Sequence, residues 1–315
     1  MPALSATPVL ITEFGPDAHQ VKHQRKENKS RLTCQYCKKP EEQESRHKAC
    51  RQCKMLYCSR ECQKADWPRH KVACIKAPDG HFPHFNKICQ TFLANESLLA
   101  LLEVLIALEL NLAITQDPNQ RFNVQIFIHF EPFDDLDFLK IINSNVGIDA
   151  SPMRGMAQIG GISSTELYES SDGLTMLPGH GQPSLSANGQ DSLPFVRLQF
   201  MRILHSGRCQ CMNTGLFISL DSIQASREAQ VVTLPLRRGV SETVPISVTA
   251  YRDFINEFIR LDWQNRWLLQ MDMQQKDKEL YRDAGAANST LPDSLGLFIR
   301  DTGMRRIRAI YTPAR

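Results

Sequence analysis

The chain has 315 residues, of which 42% are hydrophobic and 23% charged, and its formal net charge is +3. This composition excludes a disordered or collagen-like chain, and the length allows about two domains with a sizeable core. The charge is uneven, because residues 21–76 hold 16 Lys and Arg against 6 Asp and Glu, while the remainder is net acidic.

Residues 1–33 show no hydrophobic period after Phe14 and include a basic run from Lys22 to Arg31. The chain does not start with the basic residues and continuous apolar stretch that a secretory signal needs. We therefore expect a flexible basic tail on an intracellular protein of the nucleus or the cytoplasm. The basic run is a candidate nuclear import signal, and a solvated tail is the alternative.

Seven of the ten cysteines lie between residues 34 and 74, together with a histidine at suitable spacing. In a reducing compartment such cysteines indicate metal ligands rather than disulfides. The predicted ligands form four pairs: Cys34, Cys37, Cys50, Cys53, Cys58, Cys62, His70 and Cys74. Eight ligands fill two tetrahedral zinc sites and leave no open position for water or substrate. We therefore expect two structural zinc ions.

Each pair has a spacing that suits one metal ion. A C-x2-C turn lets two thiolates converge, and a separation of four positions places two ligands on one helical face. Asp66 is expected to cap a short second helix that has Pro68 in its first turn. Spacing alone leaves open whether the pairs combine sequentially or interleave.

The segment from Tyr57 to Gln63, followed by Asp66-Trp67, His70-Lys71 and Cys74, resembles the MYND-type zinc finger. The resemblance covers residues 34–74 and implies interleaved sites. One ion would take Cys34, Cys37, Cys58 and Cys62, and the other would take Cys50, Cys53, His70 and Cys74.

The resemblance also implies protein–protein interaction, which some MYND fingers achieve by gripping proline-rich peptides. It places Gln63 and Trp67 in the peptide groove, while Arg51 stands where such members have a small residue. We therefore expect a zinc-binding protein with a protein partner, a proline-rich peptide being the candidate ligand, and a transcription-related role is one candidate. The alternative is a purely structural finger, in which Trp67 packs against the finger's own helices. DNA binding is not expected, because the basic residues alternate with ligands and cannot all face one groove.

Residues 75–315 predict an α+β body of unknown role. The most apolar stretch, residues 86–114, predicts a buried core helix with Ser97 as a possible cap. Glu103 and Glu109 inside it argue against a membrane span. Its LxxLL pattern at Leu98–Leu102 is a candidate partner-docking motif, and the core helix is the expected alternative.

The remaining elements follow from hydrophobic period and turn residues. Strands are predicted at residues 124–130, 195–204, 215–220, 230–236 and 245–250, and helices at 134–142 and 251–281. Residues 147–194 hold eight of the sixteen glycines and predict a long Gly/Ser/Pro-rich loop.

MYND fingers also occur in SET-domain lysine methyltransferases, so a methyltransferase-like enzyme is the alternative function. The body lacks the cofactor motifs of those enzymes, and Cys209-Gln-Cys211 matches only part of the zinc-binding tail found after them. His205 precedes Cys209 closely, but no third residue completes a triad. We therefore name no catalytic residue, and we expect Cys89, Cys209 and Cys211 to be small buried hydrophobes.

Overall fold

The computed structural model describes residues 23, 34, 36–37, 39, 47–51, 56–73, 82–114, 121–143, 152–166, 193–203, 209–235, 241–285 and 306. Its elements in chain order are β1 (Lys48–Ala49), β2 (Leu56–Tyr57), α1 (Arg60–Ala73), α2 (Phe82–Ala94), α3 (Glu96–Glu109), β3 (Arg121–Pro132), α4 (Asp135–Asn143), β4 (Arg154–Glu166), β5 (Phe195–Ile203), β6 (Cys209–Phe217), α5 (Leu220–Glu228), β7 (Val231–Pro235), β8 (Ser241–Pro245), α6 (Val248–Leu261), β9 (Gln270–Asp272) and α7 (Gln275–Gly285). A small zinc-finger region followed by a larger α+β domain confirms the predicted fold class.

The body is built on a five-stranded sheet with the order β6-β5-β3-β4-β9. β3 and β5 pair in parallel, and the other neighbours pair antiparallel. Alternate residues of the two central strands face one core: Phe122, Val124, Ile126, Ile128, Phe130, Val196, Leu198 and Phe200. This alternation is the period-2 signal that predicted strands here, and both predictions are confirmed.

The apolar stretch at residues 86–114 is not one helix, as predicted, but two helices that meet at 91°. Asn95 breaks it, because its side chain accepts a hydrogen bond from the Leu98 amide and so caps α3. The predicted cap at Ser97 is therefore wrong by two positions. Among the described residues no single helix is long and apolar enough to cross a membrane, although this bent pair has the length and composition for it when taken together.

α3 lies inside the core, which explains why it is apolar on all sides. Its buried Glu103 accepts hydrogen bonds from Ser219 N, Ser219 Oγ and Ser222 Oγ at 3.1, 2.6 and 3.0 Å. The carboxylate that argued against a membrane span thus ties α3 to the first turn of α5.

The loop predicted over residues 147–194 is wrong in part, because residues 154–166 form strand β4 and pair along most of β3. The glycines of β4 masked the strand pattern. A Cβ atom at Gly160 would lie 2.9 Å from Nδ1 of His129, so glycine is required where that ring packs. The register shifts beside this glycine, between Phe127 and Ile128. The remainder of the predicted loop, apart from residues 152–153 and 193–194, lies outside the described residues.

The bulged part of β4 is held by α6. The Asn256 side chain accepts a hydrogen bond from the Ile159 amide at 2.8 Å and donates one to the Ile159 carbonyl at 2.9 Å. Both backbone groups are buried, so the amide supplies partners that the interrupted ladder does not.

The C-terminal half differs from prediction in three places. The strand predicted at residues 215–220 is the end of β6, which stops at Phe217, and helix α5 begins at Leu220 where no helix was predicted. Residues 245–250 were predicted as a strand, but β8 ends at Pro245 and Ser247 caps α6. The helix predicted over 251–281 is divided, because the Asp262 carboxylate accepts hydrogen bonds from the Arg266 and Trp267 amides and stabilises a turn. β9 follows this turn and completes the sheet edge beside β4.

Buried charges join the end of β3 to α6 and to Arg306. The Glu131 carboxylate is fully buried and accepts two hydrogen bonds from Arg260, at 2.6 and 2.9 Å. Arg306 lies 3.3 Å from the same carboxylate and donates to the Phe133 carbonyl at 2.8 Å. Burial raises the pKa of Glu131, but the two guanidinium groups outweigh it and hold the pKa below its ordinary value.

Candidate metal centre

The centre is assembled from two short turns and the start of α1. The Cys34 amide donates to the Lys39 carbonyl at 2.8 Å, which closes the turn that carries Cys34 and Cys37. Cys58 lies just before α1 and Cys62 in its first turn, where the Cys62 amide donates to Ser59 Oγ at 3.2 Å. The Ser59 hydroxyl thus stabilises the start of the helix that presents these thiols.

Four of the predicted ligands converge. The Sγ atoms of Cys34, Cys37, Cys58 and Cys62 all lie within 4.8 Å of one another. Cys58 Sγ is 3.4 Å from Cys37 Sγ and 3.5 Å from Cys62 Sγ. A zinc ion with Zn–S bonds of about 2.3 Å needs sulfur atoms about 3.8 Å apart, so the cluster fits a tetrahedral ion with small adjustments. This is the set that the resemblance assigns to one ion.

The cluster distributes its protons unequally. Burial opposes ionisation of Cys34, but backbone amides of Cys58, Cys37 and Tyr36 outweigh it and lower the pKa to about 6. Burial, together with hydrogen bonds to Cys37 and Cys62, raises the pKa of Cys58 to about 12. Four thiolates this close repel one another, and a dication at their centre is what lets all of them ionise.

The other predicted site is described only in part. Cys50 and His70 are each 3% exposed. Their predicted co-ligands, Cys53 and Cys74, lie outside the described residues. The second zinc ion therefore stays a prediction. His47, which is not among the predicted ligands, has its Nε2 atom 2.9 Å from the Lys39 carbonyl.

One helix replaces the two short helices predicted for the finger, and Pro68 lies inside it. Asp66 does not cap a helix. It is buried and accepts a hydrogen bond of 2.8 Å from the Tyr57 hydroxyl. The Tyr57 ring is fully buried and meets the His70 ring edge-on, with centroids 5.8 Å apart. This link between hairpin and helix was missed, since nothing in the spacing of Tyr57 and Asp66 distinguishes them from surface residues.

Trp67 and Gln63, the predicted peptide contacts, lie one helical turn apart on α1. The indole is 46% exposed, although it also meets the His70 ring at 5.7 Å between centroids. The helix therefore presents an aromatic surface next to a side-chain amide. Arg51, the departure from the peptide-binding pattern, is exposed as well.

The unassigned cysteines behave differently from one another. Cys89 is 1% exposed, as expected for a small core residue, but Cys209 and Cys211 are exposed on β6. The expectation that these two are buried hydrophobes is wrong. They lie on an edge strand of the sheet, where alternate positions face solvent.

A compact thiolate cluster on short turns and a helix start defines the N-terminal unit as a small structural zinc finger. Residues 34–74 match the family model of the MYND finger, which confirms the resemblance. The chain belongs to the family described as "Domain of unknown function (DUF8205)", whose model matches residues 81–298, more than two thirds of the chain. The match to the MYND finger and the cluster of four cysteines together support zinc binding.

One curated relative carries a related segment. It is "Dauer abnormal formation protein 25" of Caenorhabditis elegans, which is 67% identical over 27 residues. The match covers 9% of this chain and 7% of that protein, so it bears on a short segment alone. No solved structure matches the chain.

Proposed function

We propose that this chain is a zinc-dependent interaction protein whose MYND finger binds a short proline-containing segment of a partner protein. The exposure of Trp67 is the observation that supports this most directly. Its indole is 46% exposed, although the His70 ring that it meets is only 3% exposed. A half-exposed indole fixed against a buried ring is a rigid apolar platform, and a polyproline II segment can stack on it without losing much entropy.

Gln63 supports the same proposal. Proline has no amide hydrogen, so a proline-rich segment offers mainly carbonyl oxygens for hydrogen bonding. The Gln63 side chain is partly exposed and one turn from Trp67, and its amide can donate to such a carbonyl. An aromatic surface and a donor at this spacing suit an extended peptide lying along α1.

The charges around the platform indicate what flanks the prolines. Arg60, Lys64 and Lys71 are exposed on α1, against one exposed acid, Glu61. We therefore expect partner segments that carry acidic residues beside their prolines. The thiolate ligands require a reducing compartment, so the proposal places the interaction inside the cell.

The test uses the full-length, zinc-loaded protein and an array of proline-rich peptides with acidic flanks. The same array with alanine in place of each proline is the peptide control. Trp67→Ala is expected to weaken binding about 30-fold, the effect of losing a central aromatic worth about 2 kcal/mol. Trp263→Ala is the matched control, because Trp263 is 69% exposed and belongs to the body.

Zinc content is measured for both variants, since a Trp67→Ala protein that lost its metal would report on folding. Trp67→Phe retains an aromatic ring and is expected to bind with intermediate affinity. Equal binding by the zinc-loaded Trp67→Ala protein and the wild type would refute the proposal. Binding that falls by several powers of ten between about 50 and 200 mM salt would instead indicate nucleic-acid-type electrostatic contacts.

A further inference from the structure

Two exposed thiols lie side by side on the body, away from the predicted zinc ligands in sequence. Cys209 and Cys211 occupy alternate positions of β6 and therefore share one face of the sheet. β6 is an edge strand, and it pairs on its inner side with β5, where Met201 is opposite Cys211. The two Sγ atoms are 3.5 Å apart. Both side chains are accessible to small molecules in solution.

The strand geometry sets what this pair can form. A strand rises about 3.3–3.4 Å per residue, so the Cα atoms of alternate residues lie about 6.7 Å apart. Disulfides span Cα separations of about 4.4–6.8 Å, and this pair falls at the upper end of the range. The bond is therefore within reach but strained. Strained and exposed disulfides are easily reduced, and they serve reversible rather than structural roles.

We propose that Cys209 and Cys211 form a reversible thiol–disulfide site that is oxidised by small-molecule disulfides of the glutathione type. The Cys211 thiolate attacks one sulfur of oxidised glutathione, a mixed disulfide forms, and one glutathione thiolate leaves. The Cys209 thiol then gives its proton to solvent and attacks the Cys211 sulfur, which expels the second glutathione thiolate. The protein loses two electrons, and oxidised glutathione is reduced to two glutathione molecules.

The order of attack follows from the unequal thiols. A hydrogen bond from Cys209 outweighs burial and lowers the pKa of Cys211 to about 7. The same contact, together with burial, raises the pKa of Cys209. The thiolate is the nucleophile, and an attacking thiol is most effective when its pKa is near the ambient pH. Cys211 is therefore the attacking residue and Cys209 the resolving one.

The test incubates the full-length, zinc-loaded protein in glutathione buffers of increasing oxidised fraction. Free thiols are then alkylated and peptides are mapped by mass spectrometry, with released zinc followed by a chromogenic chelator. The expected result is a Cys209–Cys211 disulfide that forms while zinc is retained, and that is reversed by reduced glutathione. Cys89, which is 1% exposed, is the internal control and should stay unmodified. A pair that stays reduced until zinc is released would overturn the proposal.

Two variants separate the roles. Cys209→Ser should stop at a glutathione adduct on Cys211, because the resolving thiol is absent. Cys211→Ser should form its adduct more slowly. The serine hydroxyl of Cys209→Ser can still donate a hydrogen bond to the Cys211 sulfur, so Cys211 keeps a lowered pKa and a larger thiolate fraction at neutral pH, and we expect a rate difference of about a few-fold. Equal rates for the two variants would contradict the assignment of Cys211 as the attacking thiol.

Discussion

Acid should destabilise the body through one buried histidine. His129 lies on β3, is 4% exposed, and meets the Tyr281 ring with centroids 5.9 Å apart. Burial lowers its pKa to about 3, helped by the nearby charges of Arg260 and Arg252, while Glu131 opposes the shift only in part. Between about pH 6.5 and pH 3 the folded protein thus holds a neutral imidazole where the unfolded chain binds a proton.

The sign and size of the effect follow from this difference. Between about pH 6.5 and pH 3 the unfolded state binds a proton that the folded state does not, so stability falls as the pH is lowered. Each pH unit costs about 1.36 kcal/mol, and lowering the pH from 7.5 to 5 should remove about 2 kcal/mol from the free energy of unfolding. Below the ordinary range of a glutamate, protonation of Glu131 acts in the same direction, because its pKa is lowered in the folded state.

The assay is urea unfolding at several pH values, followed by tryptophan fluorescence in a Trp67→Phe background. The two remaining indoles, Trp263 and Trp267, then report on the body. His129→Asn is expected to be less stable at every pH, but the loss between pH 7.5 and 5 should shrink by about 2 kcal/mol. An unchanged pH dependence in His129→Asn would refute the reasoning, since the residue could not then be the group that fails to protonate.

Three further substitutions test the metal cluster and the buried contacts. Cys58→Ser removes one of four clustered thiols and should lower the zinc content by about one ion in native mass spectrometry while the body's unfolding midpoint stays unchanged. Glu131→Gln removes the more buried of the two carboxylates paired with Arg260 and should cost about 3–5 kcal/mol in urea unfolding, and a loss under about 1 kcal/mol would contradict this. Asn256→Ala removes both partners of the Ile159 backbone and should cost about 2–6 kcal/mol, with faster amide exchange at Ile159 as its specific signature.

The sequence predicted elements well where side-chain period and burial agree. Ile126, Ile128 and Phe130 fall at alternate positions, and the strand that they predict is central in the sheet. Prediction from the sequence failed where one side chain interrupts a longer hydrophobic pattern. Asn95 turns the chain between two apolar helices, and Asp262 organises a turn that no hydrophobic period reveals. Leu268 even adopts a positive φ of 57°, which propensity does not anticipate.

The zinc ligands were visible in the sequence because metal chemistry requires fixed residue types at fixed spacings. The spacing did not reveal how the pairs combine, since Cys34 and Cys58 are brought together by folding. Strand β4 was missed for a different reason, which is its glycine content. Gly155 and Gly160 lie where Met273 and the His129 ring approach the backbone. Close packing therefore requires glycines in this strand, and the resulting composition resembles that of a loop.

Finger and body derive their stability from different sources, and this separates the two proposals experimentally. Among the described residues of the finger, the hydrophobic cluster consists of Cys34, Cys50 and Tyr57 with two partly buried cysteines. We therefore expect bound metal to supply most of the finger's folding free energy, about 10–16 kcal/mol for a structural zinc. The body has an extensive core, and none of the predicted ligands within the described part of the chain belongs to it. Chelation should therefore abolish peptide binding at Trp67 while Cys211 retains its reactivity toward oxidised glutathione. Loss of both on chelation would mean that the body itself depends on the metal.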